Sequence, residues 1–565
     1  MDNLLPQLLS FPPHPPPAQP LSDGQYDTQV RSLLQTLNRT PANLLVREVQ
    51  GGDDLLEILD PSVNSLPYLY SLLAHIQAAI DKQGKGNHGS SKLLWNDPIA
   101  PYWEKVVDFL QRFDSRQVRY AGTEWRRLVE LVASAARSAG KPLLAVHPIR
   151  HAILRLDPTS ATLTSNHLLF VRLCLEAKTY RAALPVLDRD ILDFPSTQHN
   201  ASASGPDQVS SSFITVSSGL SATLHYTDHL EYHLLGAMVY MGLKKYERAL
   251  EFLELVISTP TNNTASTIMV EAYKKWVLVS LIHQGHVGPL PRPTNIHAGR
   301  VCHILAKPYD SIAGIFRTGT AESLREEFEV GRDIWRIDNN TGLLLLVLQA
   351  NERFRIRNLE NTYTTLSTRE ICRRQLSSQG QGHNISITPE TEATTEDQIL
   401  GMIARGELDA SISHLPLTTN TATPDTQSST IHFHPESSSN ASVQDEARQM
   451  AEIEGQIART IALTTQTRHM DRKIGLSRDY IAHLQRQKRF AAAAAAGGAG
   501  SKGADGGGGG SGVGAGLGGG GAGADAMDVD WDDKDEMVSA YAHTWAGGGS
   551  GDGENDVDED MMAGF

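Results

Sequence analysis

Cysteine is scarce: Cys174, Cys302 and Cys372 are the only three in 565 residues. So few thiols, so widely scattered, exclude a disulfide framework or a clustered zinc site, and they are expected to be core residues. No apolar run approaches the roughly 18 residues that a membrane-spanning helix needs. Basic charge is short as well, with 50 Lys and Arg against 65 Asp and Glu, a formal net charge of -15. Much of that imbalance lies in residues 525–565, which hold 13 acids and one lysine. The remainder is nearly neutral, so no general basic face exists to bind nucleic acid by counterion release. The opening "MDNLLPQLLSFPPHPPP" carries an early acid, no basic flank and several prolines. It does not read as a secretory signal, and an intracellular protein is expected. Asn-x-Ser/Thr matches then carry no weight.

What remains is a chain rich in helical periodicity. Trp103, Val106, Val107 and Leu110 recur at spacings of three and four and mark one helix face. Strand-like alternation is almost absent from the first 350 residues. The expected organisation is a disordered Pro-rich segment at 1–26, a helical-repeat region at 27–355 and a winged-helix part at 356–436. A helix or helix pair follows at 443–489, then a disordered Gly-rich linker and acidic tail at 490–565.

The repeat rests on "EYHLLGAMVYMGLKKYERALEFLELVISTP", Glu231 to Pro260. Laid on the 34-residue tetratricopeptide template with Gly236 at its eighth place, it puts Tyr232, Leu235, Phe252 and Pro260 at bulky, Leu, aromatic and Pro positions. Arg248 stands where a small residue is expected, and Ala249 follows it. "KTYRAALPVLDRDILDFP" from Lys178 echoes "KKYERALEFLELVISTP" from Lys244. Tyr180 and Ala183 thereby correspond to Tyr246 and Ala249. Stacked helix pairs bury their open faces on one another and usually form curved interaction surfaces.

Beyond residue 350, helices read from Arg357 to Leu376 and from Thr395 into an alternating segment at Leu408, Ala410 and Ile412. A short strand follows at Ile431–Pro435, and the whole suggests a winged helix with polar inserts. The candidate recognition helix sets Arg405 against Glu396, Asp397 and Glu407, which disfavours phosphate contact. Met450, Ile453, Ile457 and Ile461 form an apolar seam on the next helix. The locally basic stretch from Arg468 to Phe490 admits three readings: a solvated face, a partner-helix seam, or nuclear import or nucleic-acid contact.

One motif suggests chemistry. His432-x-His434, then Ser442 and Asp445, reproduces the His-x-His-x7-Ser-x2-Asp spacing of zinc isopeptidases. Such a site needs a mixed sheet and helix domain ahead of it, whereas the preceding region is helical, so a wing strand with exposed histidines is the preferred reading. "GVGAGLGGGG" spells dinucleotide-fingerprint letters but follows no strand and opens no helix. With no phosphate loop or nucleophile elbow, the chain is expected not to be an enzyme and to need no cofactor or metal.

Repeats, then a winged helix, then a terminal helix is the order of PCI proteins. The stretches from Tyr232 to Pro260, Glu271 to Gly285, Asn358 to Ser367 and Met402 to Ile412 resemble the third-subunit family of the COP signalosome. That resemblance implies a mainly α protein, a tetratricopeptide-like solenoid followed by a winged-helix PCI module and a C-terminal helix. It implies a non-catalytic scaffold in the complex that removes the ubiquitin-like modifier Nedd from cullins, with the metal isopeptidase in another subunit and a cytoplasmic and nuclear location. Other PCI subunits are the expected partners, through winged-helix edges formed by strand residues Ile412, Ile431 and Phe433 and through the seam entering a helical bundle; cullin-RING ligases are further candidates. Membrane and nucleic acid are not expected partners. The alternatives are a PCI subunit of the proteasome lid or of translation initiation factor three, and a zinc isopeptidase using His432, His434 and Asp445.

Overall fold

The computed structural model describes residues 5–12, 22–47, 54–84, 101–195, 210–261, 264–377, 389–413, 429–434 and 443–498. The chain is mainly helical, with three short strands among the described residues. It divides into two units, the first running to Thr467 and the second starting at Arg468.

In the first unit, successive helices pack as antiparallel neighbours because the turns between them are tight. Ser165–Glu176 is followed by Tyr180–Leu187, and Tyr226–Gly242 by Tyr246–Ser258. Both turns place a lysine in the left-handed region, Lys178 at φ +54° and Lys244 at φ +59°. In each, the amide two residues past the helix cap reaches back to the third-last helical carbonyl, Thr179 to Cys174 and Lys245 to Tyr240, both 2.9 Å. This is the Schellman closure, in which a left-handed residue satisfies the helix's last carbonyls. Gly140 and Asn339 close two further helices in the same way. The echo between residues 178–195 and 244–260 is therefore also an echo of backbone geometry.

Small residues on Tyr226–Gly242 let neighbouring helices approach, both its partner Tyr246–Ser258 and the preceding Tyr180–Leu187. A Cβ at Gly236 would lie 2.7 Å from the Phe252 ring, and one at Gly242 would lie 2.9 Å from the ring of Tyr180. Tyr232 and Ala249 are fully buried, and Phe252 packs edge-on against Tyr240 with ring centroids 5.1 Å apart. Leu235 and Tyr246 are half-buried against the same core, and Pro260 is exposed where the chain leaves the pair. Thr267–His283 packs next to this pair and is buried on most sides. Its Lys275 donates to Asn340 Oδ1 at 3.0 Å, and Lys274 pairs with Asp338 at 2.8 Å. Tyr309 OH donates to Asp338 at 2.8 Å and accepts from Asn340 Nδ2 at 2.9 Å, so the network leaves these buried polar groups satisfied.

One continuous apolar core runs through these helices as far as Ala350, and a second, smaller one begins at Ile356. Both are served by a single helix, Thr341–Glu360: Leu344, Val347 and Ala350 enter the first core and Ile356 the second. The boundary expected between 355 and 356 thus falls inside a helix, and the segment expected to be disordered at 1–26 contributes a short helix, Leu5–Leu8, and buries Leu8 and Phe11 in the large core. After it come β1 (Thr365–Ser367), helices Thr368–Ser377 and Pro389–Ala404, β2 (Ala410–Ser413) and β3 (Thr430–Phe433). The strands form an antiparallel sheet in the order β1-β3-β2. Two packed helices backed by a small sheet are consistent with a winged helix. β1 adds a strand to the two read from sequence.

Helix Val443–Gly475 begins in the first unit. In the second unit, helix Arg478–Gly498 runs past the end at 489 expected from the sequence, because the six alanines, which the sequence reading places in the disordered linker, are the best helix formers. Residues 499–565, and with them the acidic tail, lie outside the described residues, as do 196–209, 378–388 and 414–428, which hold parts of the polar inserts expected near 197–222, 378–394 and 416–430. No helix among the described residues is long and apolar enough to cross a membrane.

Candidate interaction surfaces

The three cysteines are buried and free. Burial pushes the thiol of Cys174 up to about 12 and that of Cys302 up to about 11, so both stay protonated and unreactive at neutral pH. Among the described residues no group of His, Cys, Asp and Glu side chains is arranged to hold a metal ion. His432, on β3, and His434, directly after it, face away from the core. Each sits 3.0 Å from a β2 serine, Ser413 Oγ for His432 and Ser411 Oγ for His434. Of the remaining zinc-motif positions, Ser442 and the side chain of Asp445 fall outside the described residues.

The wing places the strand residues differently from the sequence reading. β3 is the middle strand, so Ile431 and Phe433 are not at an edge; both are buried in the small core beside Ile356, Ile371, Ile399 and Met402. Alternation explains this, because odd positions of β3 face the helices and His432 and His434 face away. Among the described residues the edges of the sheet belong to β1 and β2. On β2 the hydrogen-bond pattern identifies which groups are open. The His434 amide donates to Asp409 O at 2.9 Å, which makes 409–434, and by alternation 411–432 and 413–430, the doubly bonded pairs. Ala410 and Ile412 therefore turn their backbone N–H and C=O outward. Ile412 is the expected edge residue that the structure does put at an edge, with its side chain half-buried on the small core.

The seam residues lie together on one helix face. Met450, Ile453, Ile457 and Ile461 are 61%, 51%, 53% and 62% exposed. At 100° per residue they span an arc of roughly 80°, centred about 165° away from Arg459. Arg459 is on the opposite face and is held by the solenoid. Its Nε donates to Asp190 Oδ2 at 2.9 Å, and its Nη atoms donate to Asp190 Oδ1 at 3.1 Å and to Glu251 at 3.1 and 3.2 Å. Arg248 completes the cluster, pairing with Asp190 at 3.1 Å and with Glu251. Partial burial raises the Asp190 carboxyl, but the hydrogen bonds from Arg459 and Arg248 outweigh it and hold the group below the ordinary carboxylate range. Beside the cluster, Ala462 and Leu463 cover a cavity of about 500 Å³ lined by Thr159, Ala161, Pro185, Asp188 and Leu192. Sequence reading missed this contact because Arg459 lies 269 and 208 residues from its partners and its neighbourhood looks polar.

Similar proteins accord with this architecture. Residues 27–296 match the family described as COP9 signalosome complex subunit 3, N-terminal helical repeats. The COP9 signalosome complex subunit 3 of Emericella nidulans is 38% identical over 422 residues, 74% of this chain and 81% of the relative. That of Neurospora crassa is 30% identical over 420 residues, 73% of this chain and 79% of its own length. That of Drosophila melanogaster is 29% identical over 392 residues, 69% of this chain and 79% of its own length. With helical repeats, a small three-stranded module and terminal helices in that order, and relatives aligned along most of both lengths, the chain belongs to the family of COP9 signalosome complex subunit 3.

Proposed function

We propose that the chain is a non-catalytic scaffold subunit of the COP9 signalosome, the complex that removes the ubiquitin-like modifier Nedd from cullins, acting in cytoplasm and nucleus. The solenoid gives the subunit its own core. The wing offers its β2 edge, through Ala410 and Ile412, to a strand of a neighbouring PCI subunit. The terminal helix offers Met450, Ile453, Ile457 and Ile461 to a helical bundle. Cullin-RING ligases are encountered through the assembled complex.

The observation that carries this reading is the seam, four large apolar side chains more than half exposed on one face of a helix. Burial of each in a partner bundle is worth about 1.5–3 kcal/mol relative to exposure. Replacing Ile453 and Ile457 with Asp should release the subunit from the complex on co-purification while circular dichroism stays unchanged, because the repeat core lies elsewhere. Incorporation at the native level would refute the assembly role. The purified chain should hold no stoichiometric zinc and cleave no Nedd-cullin conjugate. Cleavage lost in His432→Ala and His434→Ala would restore the isopeptidase reading.

A further inference from the structure

The C-terminal helix touches the solenoid through its polar back. Arg459 is bound by two carboxylates that come from different elements, Asp190 from the loop after Tyr180–Leu187 and Glu251 from helix Tyr246–Ser258. Arg248 balances the cluster, so two guanidinium groups meet two carboxylates with no net charge. Apolar adhesion at this contact is thin. Ala462 and Leu463 lie over an incompletely filled cavity, and Leu463 is 37% exposed. A contact made mainly by half-exposed ion pairs is weak, salt-sensitive and reversible. It also fixes rotation about the helix axis, because a bidentate guanidinium clamp has one orientation.

We propose that Arg459, with Asp190 and Glu251, is a releasable charge latch that holds the assembly helix on the solenoid of the free subunit with its apolar seam turned outward for capture by partner helices. This deepens the scaffold reading and rests on it. The latch removes the rotational search that a detached helix would make before its seam met a bundle, so it accelerates incorporation without setting the final yield. Arg459 is a positioning residue in this scheme, since it touches no partner.

The test uses the full-length chain with spin labels on Leu255→Cys and Thr460→Cys, both at exposed positions, with electron paramagnetic resonance reading the distance between them. At low salt the otherwise unaltered chain should give one narrow distance, Arg459→Glu a broad distribution, and the swap Arg459→Glu with Glu251→Arg a narrow one again. In parallel, a time course of co-purification with the remaining subunits should show Arg459→Glu entering about fivefold more slowly, with rescue by the swap and no difference at high salt. A narrow distance in Arg459→Glu, or a broad one with unchanged entry rate, would overturn the latch. The Ile453→Asp, Ile457→Asp variant separates the two ideas. It should keep the narrow distance and lose incorporation, whereas retained incorporation would defeat the scaffold seam and leave the distance result standing.

Discussion

Two histidines in the repeat core make stability depend on pH. His167 Nδ1 accepts from the Thr164 amide at 3.2 Å and from Thr164 Oγ1 at 2.7 Å, and His233 Nδ1 donates to the carbonyl of His229 at 2.9 Å. Burial pushes both imidazoles down to about 4, so they are neutral in the folded chain. Their folded values lie below the ordinary 6.5. Their contribution is therefore fully present above that pH and is lost as pH falls from 6.5 towards 4, where the unfolded chain binds more protons. At pH 5 the loss is on the order of 2 kcal/mol for each buried imidazole. Melting temperature should fall between pH 7 and 5, and the double variant His167→Gln, His233→Asn should flatten that slope; an undiminished slope would assign it to other groups. Gly236 and Gly455 make a contrasting pair. Ala at Gly236 meets the buried Phe252 ring and should cost about 1–3 kcal/mol, partly offset by helix propensity. Ala at Gly455 meets nothing within 4 Å and should stabilise its helix by about 0.5–1 kcal/mol, both read by chemical denaturation. The left-handed lysines offer a third comparison, since Lys244→Gly relieves a strained φ and should leave stability equal or slightly higher.

Among the elements, the β2 edge carries the most specific expectation. Proline at Ile412 deletes an outward amide without breaking the ladder to β3, the position at which a strand tolerates it. Ile412→Pro should leave the module folded and weaken co-purification with the neighbouring PCI subunit, whereas Ser411→Pro, inside a doubly bonded pair, should unfold the sheet. Equal effects of the two on folding would show that the register differs. Helices such as Pro101–Arg112 were legible because three- and four-residue spacing reports directly on a buried face. β1 was not, because Thr365–Ser367 is too short for alternation to register. The identity of the edge was hidden for a related reason: sequence places strands along the chain, whereas the order β1-β3-β2 is set by the small core. Residues Ile431 and Phe433 carry the alternation of a half-buried strand, which reports a face and says nothing of an edge.

For the molecule as a whole, charge and core are separated along the chain. Residues 525–565 hold 13 acids and one lysine, while the buried apolar residues among those described all precede Arg459. Deleting residues 499–565 should therefore leave the melting temperature and co-purification with partner subunits unchanged while raising the isoelectric point; loss of incorporation would give that segment a part in assembly. The helical class was plain from periodicity and from the near absence of alternation, and the family from a handful of stretches between Tyr232 and Ile412. The Arg459 contact was beyond reach because an ion pair between residues hundreds of positions apart leaves no local trace. The helix Thr341–Glu360 ties the two cores together: Leu344, Val347 and Ala350 sit in the large one, Phe354 packs against it, and Ile356 enters the small one. With a single residue between the last side chain on the large core and the first in the small one, no slack linker separates them, so a change in how this helix packs on the solenoid is passed directly to the wing and its open edge.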